Sequence, residues 1–242
     1  MKALSFIALV LLPFFVRAQD MQKYERDTRD LVKAGKYKEA LERDIWFHNH
    51  ALEYDKAMVG VRLSFALSDW KTLGDKYPPA LAALKKMRDD KTKIVTANGG
   101  PPNIFQDVVA INRTFKEDAK SIQLFQTVIK THPSMAQGCW PYVKRNVLAA
   151  KQFNIARNYI GNPVAEFNAV KKRYDSNVGY YPKMIGLGGD LFKKLTEKNF
   201  VNESAQLIQY TTAVNDTKSA KEIQHQADVV IADGRIEEAL KK

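Results

Sequence analysis

The chain has 242 residues, 38 Lys and Arg against 27 Asp and Glu, a formal charge of +11, and one cysteine. A lone cysteine excludes an internal disulfide framework, so packing alone must hold the fold. The basic surplus favours acidic partners, but no block of five or six Lys/Arg occurs, which argues against a nucleic-acid arm.

The chain opens with "MKALSFIALVLLPFFVRAQD", which reads as a cleavable secretory signal peptide. Lys2 precedes an apolar run from Leu4 to Val16, and Val16 and Ala18 satisfy the small-residue rule. Cleavage is expected between Ala18 and Gln19, leaving residues 19–242 as a single domain. The run has 13 residues, fewer than the roughly 20 needed to span a bilayer. No later segment is long and apolar enough to do so. The leader is of a bacterial type, so a secreted or periplasmic location is expected, and removing Lys2 and Arg17 leaves a charge of +9. The sequons at Asn112, Asn202 and Asn215 would then stay idle.

Beyond the leader the hydrophobic period is helical nearly everywhere. Leu31, Ala34, Leu41, Ile45 and Leu52 mark one set of apolar faces, and Leu63, Ala66, Leu67, Trp70 and Leu73 another. Gly35, Gly74, Pro78-Pro79, Pro133 and Gly161-Asn162-Pro163 punctuate these runs. The pattern predicts roughly eleven or twelve helices of ordinary length. Thr96 to Asn103, with paired Gly and paired Pro, is expected to be a loop, and Asp175 to Asp190 a longer irregular connection.

One phrase occurs near both ends, "LVKAGKYKEAL" at Leu31–Leu41 and "VIADGRIEEAL" at Val230–Leu240. Between them, Trp70-Lys-Thr-Leu73-Gly74-Asp-Lys-Tyr77 matches the W-x2-L-G-x2-Y opening of a tetratricopeptide repeat. Degenerate copies keep the spacing: Tyr24, Gly35, Tyr37 and Ala40; Phe105, Val108, Ser121, Phe125 and Pro133; Trp140, Val143, Phe153 and Ala156; and Gly234, Ile236 and Ala239. Phe200 with Ser204 marks a weaker one. On these residues most of the mature chain resembles the tetratricopeptide-repeat family. The resemblance implies an all-α, right-handed superhelix of helical hairpins whose concave side is lined by the first helix of each hairpin. The repeated phrase then reads as one inter-helix turn used twice.

Catalytic signatures are scarce. His48 and His50 in "FHNH" lie about 200° apart on a helix and cannot share a metal as an i, i+4 pair would. No G-x-S-x-G, H-E-x-x-H or C-x-x-C is present. Cys139, between Gly138 and Trp140, reads as a small buried hydrophobe. No catalytic residue, metal ligand or cofactor site is assigned. On the concave face implied by the repeat, Arg29, Lys33, Lys71, Arg113 and Arg145 form a candidate basic groove for an acidic or carboxylate-ended peptide. Arg43, Trp46 and His50 form a secondary polar-aromatic patch. The leading expectation is an exported, non-enzymatic scaffold for protein or peptide partners. The alternatives are an envelope hydrolase using the Arg43/Trp46/His50 patch and a binder of anionic surface polymer.

Overall fold

The computed structural model describes residues 20–184 and 189–241. The expected signal peptide and its cleavage point lie outside the described residues, as does part of the expected Asp175–Asp190 connection. The fold is all-helical, with thirteen α-helices, two short 3-10 turns and no strand among the described residues. None of these helices is long and apolar enough to cross a membrane. The chain forms two units, Met1–Met87 and Arg88–Lys242.

In the first unit, α1 (Met21–Lys33) begins at Asp20, whose carboxylate accepts from the Lys23 N–H at 2.9 Å. It ends in a tight turn. The Gly35 N–H donates to the Val32 carbonyl and the Lys36 N–H to the Leu31 carbonyl. Gly35 sits at φ +75°, where a residue without Cβ is unstrained. The chain then enters α2 (Tyr37–Tyr54), with Ala40 fully buried at the α1–α2 contact. A 3-10 turn (Lys56–Met58) and α3 (Val59–Arg62) lead to α4 (Phe65–Lys76), which packs on both α2 and α1. Met21, Tyr24, Phe47, Ala51, Met58 and Ala66 form the core between them.

The Trp70 motif behaves as its chemistry demands. Its ring is buried and its indole N–H donates to the Ala80 carbonyl at 2.9 Å. Ala80 lies in the first turn of α5 (Pro78–Asn98), which starts at the expected proline. Gly74 lets α4 and α5 approach: a Cβ there would stand 2.9 Å from the Leu81 Cβ. His48 is buried against Arg62, which donates to the His48 carbonyl and to its Nε2 at 2.9 Å, so that nitrogen is the acceptor.

The second unit holds α6 (Pro102–Thr114), α7 (Asp118–Thr131), α8 (Pro133–Ala149), α9 (Phe153–Ala156), α10 (Pro163–Tyr180), a 3-10 turn (Tyr181–Met184), α11 (Gly189–Ala213), α12 (Thr217–Val230) and α13 (Arg235–Leu240). α7 packs on both α6 and α8, and α8 returns onto α6. The same relation recurs in α10, α11 and α12. A column of rings, Phe105, Phe125, Trp140 and Tyr159, runs through the core at centroid spacings of 5.4–6.0 Å. Cys139 is fully buried beside it, and burial pushes its thiol up to about 11.

Most of the described residues in the two expected loops are helical, in α-helices or a 3-10 turn. α5 continues to Asn98 and α6 begins at Pro102, leaving Gly99–Pro101 as the link. α10 continues to Tyr180, and α11 begins at Gly189. Paired prolines read as breakers, but Pro102 opens a helix, where its missing N–H costs nothing.

The turn that closes α1 recurs where no glycine marks it. Lys116, Lys151 and Asn215 occupy φ +59°, +53° and +62°. In each case the next residue's N–H reaches five residues back: Glu117 to Asn112, Gln152 to Val147, and Asp216 to Thr211. Five residues after each lies a buried small side chain, Ser121, Ala156 or Ala220, as Ala40 lies after Gly35. The second glycine phrase is a different turn. Gly234, at φ +81°, caps the start of α13 and accepts from the Glu238 N–H, whereas Gly35 closes the end of α1.

Candidate functional site

α1 and α4 place the first candidate. Positions one helical turn apart put Gln22, Glu25, Arg26 and Arg29 along α1, opposite Phe65 and Asp69 on α4. These residues and Val61 line a cleft of about 500 Å³. Arg29, the first member of the expected basic groove, spans it. Its Nη1 reaches Glu25 at 3.2 Å and Asp69 at 3.3 Å. Phe65 stands at the rim, 69% exposed.

Beside these carboxylates, on α2, lies Asp44, which sequence reasoning missed. Burial, then the charges of Asp69 and Glu25, push its carboxyl up to about 8 against the opposing pull of Arg43. Asp44 therefore carries a proton at neutral pH. Glu25 is also raised, first by burial and then by Asp69. Three carboxyls thus crowd where sequence predicts a basic surface, and Arg29 is matched by two of them.

The secondary patch comes together in space. The Arg43 guanidinium lies 3.7 Å from the centre of the Tyr24 ring and donates to the Tyr24 carbonyl and to Thr28 Oγ1. Trp46 lies against Tyr24 and His50, at centroid distances of 4.8 and 5.3 Å. The His50 imidazole contacts Glu53 at 3.1 Å. Arg43 is thus committed to positioning α1 on α2.

Of the remaining basic residues, Lys33 pairs with Asp30 at 2.8 Å and Lys71 with Asp75 at 3.2 Å, both along their own helices. In the second unit Arg113, Arg145 and Arg173 stand on α6, α8 and α10, and the last was not anticipated. Arg145 lies 3.5 Å from the buried carboxylate Glu203 of α11, and Arg173 hydrogen-bonds the same carboxylate. Burial, then the neighbouring charge of Arg145, lowers the Arg113 pKa, and Asp118 opposes them. Here basic charge meets basic charge. The periodicity of α10 could have flagged Arg173, since it lies on the helix that follows α8 in the packing pattern.

Among the described residues, no group of three or more His, Cys, Asp or Glu side chains is placed to hold a metal ion. Compared with known families, curated proteins and solved structures, the chain matches none.

Proposed function

We propose that this protein is an exported, non-catalytic scaffold of tetratricopeptide-like hairpins that holds an acidic segment of a partner protein against the Arg113, Arg145 and Arg173 row. The packing of α2, α7 and α11 each between two neighbouring helices, the recurring turn, and the Trp70–Gly74 motif support hairpins wound into a right-handed superhelix. The observation that carries the reading is the placement of three arginines on α6, α8 and α10, with Arg113 and Arg145 near enough for the charge of one to act on the other. The basic groove expected from sequence narrows on this reading. Arg29 faces two carboxylates and Lys33 and Lys71 one each, so an acidic ligand gains little from them, whereas Arg145 and Arg173 share the single carboxylate of Glu203.

Fluorescence anisotropy with an acidic peptide and its amidated neutral counterpart tests this. The acidic form is expected to bind at least tenfold more tightly, with affinity falling as salt rises. Arg113→Gln should remove most of that preference. Equal binding of the two peptides would refute the assignment.

A hydrolytic role has one specific observation in its favour, the Asp44 carboxyl pushed up to about 8 by burial and by the charges of Asp69 and Glu25, which themselves line the 500 Å³ cleft. A general acid needs a carboxyl that keeps its proton near neutral pH. Turnover of ester, glycoside or amide probes that vanishes in Asp44→Asn would favour it over the scaffold.

A further inference from the structure

A second cleft, of about 370 Å³, lies between α5, α6 and α7 within the second unit. Arg88, Asp89, Thr92 and Thr96 line it from α5, Val108 and Asn112 from α6, and Lys120, Gln123, Leu124 and Thr127 from α7. None of these residues belongs to the arginine row. Asn112 is 1% exposed, its Nδ2 donates to Ser121 Oγ at 3.1 Å, and its Oδ1 has no hydrogen-bond partner. A buried acceptor without a donor is a feature that native interiors rarely keep without use.

The lining selects the chemistry of what would fill it. Thr92, Thr96 and Thr127 each spend the hydroxyl proton on a carbonyl of their own helix, those of Arg88, Lys93 and Gln123. Their remaining lone pairs accept. With Asn112 Oδ1 and the Asp89 carboxylate, the cleft is rich in acceptors, so its ligand must be rich in donors. A cation would supply donors but would meet Arg88 and Lys120. An anion would meet the Asp89 carboxylate and these acceptor oxygens. The charges themselves cancel: Arg88 pairs with Asp89 at 2.8 Å and Glu117 at 2.5 Å, and Lys120 with Glu117 at 2.8 Å. Val108 and Leu124 are buried and offer an apolar strip for a C–H face. The volume lies at the low end of the roughly 300–1,000 Å³ of small-molecule sites, so one ring fits better than a chain.

We propose that the cleft between α5, α6 and α7 binds one neutral polyhydroxylated ring, a saccharide unit, with a ligand hydroxyl donating to Asn112 Oδ1. The ring comes either as a free sugar or as the end of a glycan. The assignment stands apart from the peptide-binding reading, because the two surfaces share no residue.

Saturation-transfer NMR on the full chain without its leader tests it, with glucose, myo-inositol and methyl α-glucoside as neutral probes. Glucosamine and glucose 6-phosphate are the charged probes. At about 20 mM, where a site with a 1 mM Kd is nearly full, the neutral rings are expected to receive transfer. The charged analogues should bind at least tenfold more weakly. Methyl α-glucoside binding as well as glucose assigns a glycan end, and loss of binding on methylation assigns the free sugar. Asn112→Ala removes the buried acceptor but also loosens the Ser121 contact, so Gln123→Ala and Thr127→Val are the companion variants. Both should weaken the neutral ring at least threefold with an unchanged circular dichroism spectrum and melting temperature. No transfer to any neutral ring, equal binding of charged and neutral rings, or full binding by both companion variants would each overturn the proposal.

Discussion

Gly74 and Leu81 fix how closely α4 and α5 meet, since a side-chain carbon on Gly74 would come within 2.9 Å of the Leu81 Cβ and 3.0 Å of its backbone nitrogen. The obstacle is partly backbone, so it cannot swing aside. Gly35 is the opposite case. Space around it is open, with nothing within 4 Å of a built Cβ, and only its positive φ resists substitution. Gly74→Ala should therefore cost about 1–3 kcal/mol through overpacking. Gly35→Ala should cost about 1 kcal/mol through backbone strain. Urea melts of both variants check this, and a harmless Gly74→Ala would mean that the helices can separate freely.

Substitution in the other direction should stabilise. Lys116 and Lys151 hold the left-handed position that Gly35 holds in the first hairpin. Replacing either with Gly relieves strain but frees the unfolded chain, leaving a net gain of about 0.5–1 kcal/mol. The gain should appear as a higher urea midpoint with an unaltered slope. Asn215→Gly should gain less, because Asn tolerates this conformation better than Lys does.

Asp44 makes stability depend on pH. Its folded pKa of about 8 stands above its ordinary 3.8, so the folded state holds a proton that the unfolded state releases. The contribution is complete below about pH 4 and is lost as pH rises through 8. Asp44→Asn should remove that loss and raise stability at pH 8 by something on the order of 2 kcal/mol, discounted for solvent access and for Arg43. Thermal melts of both proteins between pH 5 and pH 8.5 should diverge steadily, and parallel curves would contradict the assignment.

Glu203 offers a test of opposite sign for the arginine row. Its carboxylate engages Arg145 and Arg173 together. Glu203→Gln removes that charge, so an acidic peptide should bind several-fold more tightly even as the fold loses about 1–2 kcal/mol. Weaker acidic-peptide binding in a folded Glu203→Gln protein would place the ligand elsewhere.

Much of the fold was legible because apolar residues recur at helical spacing and because Trp70, Gly74 and Pro78 each leave a distinct chemical trace. The turns at Lys116, Lys151 and Asn215 were not legible, because their left-handed backbone is imposed by the hydrogen bonds around it and not by a glycine. The repeated glycine phrase misled for the same reason: similar letters serve the end of one helix and the start of another. At the sites, the pairings of Lys33 with Asp30 and Lys71 with Asp75 lie within one helical turn and could be read directly. The pairing of Arg29 with Asp69 spans 40 residues, and the crowding of Asp44 by Asp69 and Glu25 exists only once three helices have packed.

The burial of Cys139 has a practical consequence. A thiol with no exposed surface and a pKa of about 11 is almost wholly un-ionised at neutral pH, and it is the only one in the chain. Maleimide reagents should pass it by. A cysteine introduced at exposed Lys33 or Lys172 would then take a single fluorophore or spin label without removal of the native cysteine, giving each unit its own reporter of ligand and motion.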